Sequence, residues 1–198
     1  MTLIQEGAEA KVFFKDGTVV KERIQKTYRH EAIDSIIRKS ATRREAKLLK
    51  KAAALVPVPK IIDFCDEDMT ITMEYIEGKK LRDVVHDIDR KDIFTRIGKK
   101  LAKLHNANII HGDLTTSNIL VHEKVYFIDF GLGFVSMRVE DKAVDVHLIR
   151  RGLESKHHQY AEECFQYILD GYRQESNEYD SILRRLAKVE KRGRYKSS

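Results

Sequence analysis

The stretch Ile110-His111-Gly112-Asp113-Leu114-Thr115-Thr116-Ser117-Asn118, followed eleven residues later by Asp129-Phe130-Gly131, decides how this chain is read. It holds a carboxylate, an amide oxygen five positions on, and a second carboxylate after the next pair of β-like runs. These form a compact set of hard oxygen donors, the kind that Mg²⁺ takes. Transfer of a phosphoryl group needs metal ions spanning the phosphates and a carboxylate that orients the acceptor hydroxyl. Asp113, Asn118 and Asp129 can supply those parts.

Upstream, the apolar or β-branched runs Lys11 to Phe14 and Val19 to Ile24 flank Asp16-Gly17, a hairpin signal. Helical spacing follows from about 31 to 54, with Ile33, Ile36 and Ile37 as apolar positions and then Ala46, Leu48 and Leu49, until Pro57 and Pro59. A second hairpin is expected around Asp66-Glu67-Asp68, between Ile61 to Phe64 and Met69 to Ile76. From Arg90 the pattern turns helical, with Ile93, Ile97, Leu101 and Leu104 on one face and an exit at His105-Asn106-Ala107-Asn108. Short β-like runs at Ile119 to Val121 and Val125 to Phe130 precede helices near 141 to 153, 158 to 173 and 179 to 191. The fold class expected is α+β: a strand-rich N-terminal lobe at 1–77, a helical lobe at 78–183 and a basic tail at 184–198.

The tail holds Arg184, Arg185, Lys188, Lys191, Arg192, Arg194 and Lys196 against Glu190, so its net charge of +6 equals that of the whole chain. A neutral body with a cationic end reads as a domain carrying an arm for a polyanion, or as a solubilising tail. Tyr195 within it could stack on a base. No stretch longer than nine residues lacks Asp, Glu, Lys and Arg, which leaves no place for an apolar membrane helix. With no signal-peptide pattern at MTLIQEGAEA and two cysteines 99 positions apart, a reducing cytoplasm is the expected compartment and no disulfide framework is implied. His147, His157 and His158 lack the carboxylate or thiol spacing of a metal site and read as surface or packing residues.

With its motifs in this order and spacing, the chain resembles the eukaryotic-type protein kinase fold. The resemblance implies a catalytic-base position for Asp113 and metal positions for Asn118 and Asp129. It implies a phosphate-holding role for Lys21 in Val19-Val20-Lys21, with Glu45 as its helix partner. Glu31 competes for that partnership, and Thr42-Arg43-Arg44-Glu45 also reads as a capping box. Aligning Val12 with the end of the phosphate-covering loop places Gln5-Glu6-Gly7-Ala8-Glu9-Ala10-Lys11-Val12 over the phosphates, with only Gly7 of the three glycines present. The implied ATP-binding set is Ile4 through Val12 (Ile4, Gln5, Glu6, Gly7, Ala8, Glu9, Ala10, Lys11, Val12), Lys21, and Met73, Glu74 and Ile76 at the hinge. Asp145 would be a structural acceptor for the catalytic loop.

The departures narrow the family. Gly112 stands where regulated kinases carry an arginine, so no guanidinium is available to clasp a phosphorylated activation loop. Thr115 replaces the lysine expected near the γ-phosphate. Only 67 residues follow Gly131, with no proline and so no Ala-Pro-Glu segment. Together with Ile128-Asp129-Phe130-Gly131-Leu132-Gly133, Glu140 to Asp145 and the basic Lys191-Arg192-Gly193-Arg194 end, the set is similar to the small atypical kinase/ATPase subunit of the KEOPS complex, in its compact archaeal form. That family implies ATP and Mg²⁺, autophosphorylation as a serine/threonine kinase, and ATP hydrolysis coupled to threonylcarbamoylation of adenosine in tRNA. Its implied partners are the catalytic metalloprotein (threonylcarbamoyltransferase) subunit, the small subunits, and tRNA met by the basic tail; no membrane is involved. The alternatives are a kinase-like scaffold without turnover, motivated by the poor glycine loop and Thr115, and a small-molecule kinase of aminoglycoside type. RIO-type kinases share His-Gly-Asp-Leu but rank below the KEOPS reading at the phosphate loop and at Phe130-Gly131.

Overall fold

The structure, a computed structural model, describes the backbone of residues 1–194 and the side chains of residues 1–191. Five antiparallel strands open the chain: β1 (Thr2–Glu6), β2 (Ala10–Lys15), β3 (Thr18–Arg23), β4 (Ile61–Cys65) and β5 (Thr70–Glu74). Their order in the sheet is β1-β2-β3-β5-β4. Asp16 and Gly17 both take positive φ (47° and 76°), so the β2–β3 hairpin has the two-residue turn whose twist matches its strands. Register places Lys21 on central β3, opposite Val12 on one side and Ile71 on the other.

The helix α1 (Glu31–Ala53) crosses between β3 and β4, and its buried side carries Thr42, Glu45, Ala46, Leu48, Leu49 and Ala52. Ile33, Ile36 and Ile37, at helical spacing in the sequence, are exposed, Ile36 at 68%. The helix is buried mainly by its C-terminal half, so the periodicity of its first turns marks a surface. Glu45 lies in mid-helix, and the capping-box reading of Thr42 to Glu45 therefore falls.

Beyond the sheet, β6 (Lys79–Lys80) leads into the single turn α2 (Leu81–Val84) and then α3 (Arg90–Asn106), which starts where Asp89 accepts from the Asp92 amide at 3.0 Å. Ile93, Ile97, Leu101 and Leu104 are all buried, as their spacing predicts. Two small sheets carry the catalytic-loop region: β7 (Ile109–Ile110) pairs with β10 (Phe134–Val135), while β8 (Ile119–Val121) lies between β6 and β9 (Val125–Phe127). The run expected to continue to Phe130 ends at Phe127, because Asp129 turns to φ 64°. Three helices close the chain: α4 (Val139–Lys156), α5 (Ala161–Glu175) and α6 (Tyr179–Arg194).

The helices α3 and α5 cross at backbone contact. A Cβ on Gly98 would sit 2.0 Å from the Ile168 carbonyl oxygen, and one on Gly171 2.0 Å from that of Thr95. Each helix thus carries a glycine where the other's backbone passes, which brings Phe94, Ile97, Leu101, Phe165 and Ile168 into one core. The helix α6 packs on α4 through Ile182 and Leu186 and is tied to it by Arg185–Glu140 (3.0 Å) and Arg150–Glu190 (2.8 Å). The boundary drawn at 183/184 therefore falls inside a helix, and residues 184–194 continue the helical lobe rather than starting an arm. Lys196 and Tyr195 lie outside the described residues, as do the side chains of Arg192 and Arg194. Among the described residues no helix is long and apolar enough to cross a membrane.

Candidate active site

Between the sheet and the helical lobe lies a cleft of about 280 Å³. Its apolar walls come from Ile4, Val12, Val19, Met73, Ile76, Leu120 and Ile128, and its polar end from Lys21, Asn118 and Asp129. An aromatic, flat ligand fits such walls, and anionic groups fit the polar end.

Lys21 is the hinge of the polar end. Its Nζ donates to Glu45 Oε1 at 2.6 Å and to Asp129 Oδ1 at 2.7 Å. Burial works against the charged ammonium, but the two carboxylates outweigh it and hold Lys21 above its ordinary pKa. Glu31 is exposed at the start of α1 and takes no part, so the helix partner is Glu45. The second oxygen of Glu45 accepts from Arg23 at 2.6 Å, a partner that sequence reasoning missed. Asp129 is pulled both ways: burial raises its pKa, whereas Lys21 and the Gly131 amide lower it, with a net shift downward. It is ionised at neutral pH.

Asn118 lines the polar end and is tied to Asp113, which is not itself among the residues lining the cleft. The Asn118 amide nitrogen donates to the Asp113 carbonyl at 2.8 Å and to its Oδ2 at 3.0 Å. That commits nitrogen to Asp113 and leaves oxygen as the other end of the Asn118 side chain, a hard donor alongside the ionised Asp129. The residues present thus fit Mg²⁺ by donor chemistry. Burial raises the Asp113 pKa, the Asn118 hydrogen bond opposes it, and nearby Asp129 adds to the rise.

The catalytic-loop conformation is fixed from beneath. Asp145, fully buried on α4, accepts from the backbone amides of His111 (2.7 Å) and Gly112 (2.9 Å). His105 Nε2 donates to the same carboxylate at 3.2 Å, while its Nδ1 takes the Tyr172 hydroxyl hydrogen at 2.7 Å. Burial alone would raise the Asp145 pKa, but His105 and these donors bring it below the ordinary value. His111 accepts from the Asp113 amide at 3.3 Å and donates to the Ile128 carbonyl at 3.0 Å, joining the two halves of the motif. Its ring lies 4.5 Å from that of buried Phe130.

Not every residue assigned to the site is brought into it. Of the loop, Ile4, Gln5 and Val12 line the cleft, as do Met73, Glu74 and Ile76 at the hinge. Glu6, Gly7, Ala8, Glu9, Ala10 and Lys11 do not: Gly7 closes a tight turn by donating to the Ala10 carbonyl at 2.9 Å, and Glu6 pairs with Lys11 at 3.2 Å. Lys80 was missed; it lines the cleft and donates to Gln5 at 2.8 Å, bridging the two lobes. Its signal in the sequence was only its place just past Gly78. Thr115 lies against α4 beside Gly152. No group of three or more His, Cys, Asp or Glu poised to hold a metal occurs among the described residues.

The RIO-domain family model matches residues 10–151. The chain belongs to the RIO-domain family. The RIO-type and KEOPS resemblances meet in this chain, which matches the RIO-domain model and is similar to relatives that carry the KEOPS name. The protein named KEOPS complex subunit Bud32 from Pyrococcus abyssi is 39% identical over 99% of this RIO-domain chain and 97% of its own. A Methanocaldococcus jannaschii protein named probable bifunctional tRNA threonylcarbamoyladenosine biosynthesis protein is 40% identical over 98% of this chain. Only 37% of that relative's length is spanned, so there the RIO-domain part shares a polypeptide with other sequence. Among solved structures, the Rio2 kinase of Chaetomium thermophilum, in a complex with ADP/Mg²⁺ and phosphoaspartate, superposes with a TM-score of 0.68. The match covers 100% of this chain and 72% of that one at 18% identity, which establishes the RIO kinase-like fold.

Proposed function

We propose that this chain is a Mg-ATP-dependent atypical phosphotransferase and ATPase that serves threonylcarbamoyl adenosine modification of tRNA as a KEOPS subunit in the cytoplasm. The observation that carries the reading is the convergence of Lys21, Glu45, Asn118 and Asp129 on one cleft from four separate parts of the chain, with Asp113 joined to it through Asn118. The name of the Methanocaldococcus relative supports the tRNA part, and that of the Pyrococcus relative the KEOPS part.

In this reading Met73 to Ile76 and the apolar walls seat the nucleotide base, and Lys21 meets phosphate oxygens. Asn118 and Asp129 hold Mg²⁺, which when bound neutralises charge on the phosphates. Asp113 accepts the proton of the attacking hydroxyl or water, placed by Asn118 on one oxygen and by Asp145 through the backbone. Serine or threonine autophosphorylation and partner-coupled hydrolysis belong to this proposal, as does docking on the metalloprotein subunit.

The test is ATP hydrolysis by the purified chain with Mg²⁺, alone, with the metalloprotein subunit, and with that subunit plus tRNA, using Asp129→Ala as control. A rate that responds to partner and tRNA and vanishes in the variant supports turnover at this cleft. A flat background throughout favours the scaffold reading.

A further inference from the structure

The exposed face of α1 is divided along its length. At 100° per residue, positions 33, 36, 37, 40, 43, 44, 47, 50 and 51 share one side of the helix, opposite the buried Thr42, Glu45, Leu48, Leu49 and Ala52. The N-terminal half of that side is apolar (Ile33, Ile36, Ile37), and the C-terminal half is cationic (Arg43, Arg44, Lys47, Lys50, Lys51). A groove between this cationic half and β4 is lined by Arg43, Ala46, Lys47, Lys50, Lys51 and Phe64.

Arg43 is engaged, because its guanidinium binds Asp66 on the β4–β5 turn. Arg44, Lys47, Lys50 and Lys51 are exposed and have no acidic partner among the described residues. Lys50 and Lys51 lie in the last turn, where a cation gains from the helix dipole, but Arg44 and Lys47 lie before it and have no such reason to be cationic. Four cations from 44 to 51 span about 10 Å of helix axis, which covers roughly three phosphate steps of a nucleic-acid strand. Three of the four are lysines, whose compact charges suit a sequence-independent phosphate backbone. A protein partner would want an apolar centre, and beside this half of the helix the groove offers only buried Ala46 and half-buried Phe64 of β4.

We propose that Arg44, Lys47, Lys50 and Lys51 form an RNA-backbone contact on the N-terminal lobe, separate from the cationic end of α6. The proposal rests on the tRNA-modification reading and extends it to a surface on the opposite lobe. It makes the chain bind one RNA from both lobes, with the cleft between the two contacts.

The experiment is tRNA binding by fluorescence anisotropy over a series of salt concentrations. It compares wild type, the variant Arg44→Gln/Lys47→Gln/Lys50→Gln/Lys51→Gln, and Lys188→Gln/Lys191→Gln on α6. Removing four phosphate contacts should lower the slope of log affinity against log salt by about 3 and weaken low-salt binding by tenfold or more. ATP hydrolysis of the same variant, measured alongside, should be unchanged. Lys47→Glu/Lys51→Glu is a second variant should the fourfold one fold poorly. Wild-type affinity and slope in both variants, or no tRNA binding by the wild type, overturns the inference while leaving the ATPase result to judge the function. Unchanged tRNA binding with lost capture of the metalloprotein subunit also overturns it, and makes this face a protein contact.

Discussion

Lys21 and Glu45 are joined by an ion pair of 2.6 Å in which the carboxylate is 1% exposed and also holds Arg23 at 2.6 Å. One buried carboxylate thus serves two cations that stand two positions apart on the same face of β3. Removing it leaves both cations without that partner, whereas removing either cation leaves a pair intact. Glu45→Ala should destabilise the fold by about 3–5 kcal/mol, the scale for breaking a buried ion pair from one side. Denaturant unfolding reads the loss; a cost within 1 kcal/mol would show that the pair is not buried in solution.

Asp113 should set the acidic limb of the rate profile. Burial raises its pKa, so the carboxylate becomes protonated at a pH above the ordinary carboxylate value as acidity increases. A group that must accept a proton is inactive once protonated, and the rate should therefore fall as pH drops through that raised value. Asn118 opposes the rise through its hydrogen bond, and in Asn118→Ala the limb of any residual activity should move to higher pH. Single-turnover rates across the acid range give both profiles.

Stability should respond to Asp145 with the opposite sign. Its folded pKa lies below the unfolded one, so its contribution is complete above the unfolded value of about 3.9 and is lost as pH falls through the folded value. Asp145→Asn turns an amide group toward the donors of His111, Gly112 and His105, and should cost about 2–4 kcal/mol at neutral pH. The variant should also lose part of the acid dependence of unfolding that the wild type shows. Unfolding curves at several acid pH values test both statements.

Mg-ATP should stabilise the chain by mass action, about 2.7 kcal/mol at a hundredfold excess over Kd. Chelating the metal or substituting Asp129→Ala should remove most of that thermal shift, since Asp129 is the ionised oxygen donor at the polar end. A shift of full size in Asp129→Ala would place the nucleotide elsewhere.

Gly98→Ala and Gly171→Ala should each destabilise by about 3 kcal/mol or more, because each methyl meets the other helix's backbone rather than a movable side chain. Thermal unfolding of the two variants, with Gly7→Ala as a mild control, measures this.

Short-range chemistry made much of this legible in advance. Asp16-Gly17 specified its turn, the Ile93 to Leu104 stripe its buried face, and the His111 to Asn118 and Asp129 to Gly131 spacing the polar end of the cleft. What escaped depends on contacts far apart in the chain. Arg23 shares Glu45 across 22 positions and His105 meets Asp145 across 40, and neither pair leaves a periodic trace. The spacing of Ile33, Ile36 and Ile37 marks the helix α1 but not its buried face, because these side chains are exposed. The basic stretch from 184 to 194 belongs to α6, which packs through Ile182 and Leu186: a helix can be strongly basic and still pack through a narrow apolar stripe.

Gly112 takes φ 79°, and a Cβ there would stand 2.4 Å from the carbonyl oxygen of Leu132. The glycine of the catalytic loop is thus held by the backbone that follows Asp129-Phe130-Gly131, and any larger residue requires that segment to move. Exchanging Gly112 for arginine would not graft loop-phosphorylation control onto this chain; it would first dislodge the β7–β10 pairing beside Asp113. Acquiring that kind of regulation would take a coordinated rebuilding of two segments, a route closed to single substitutions.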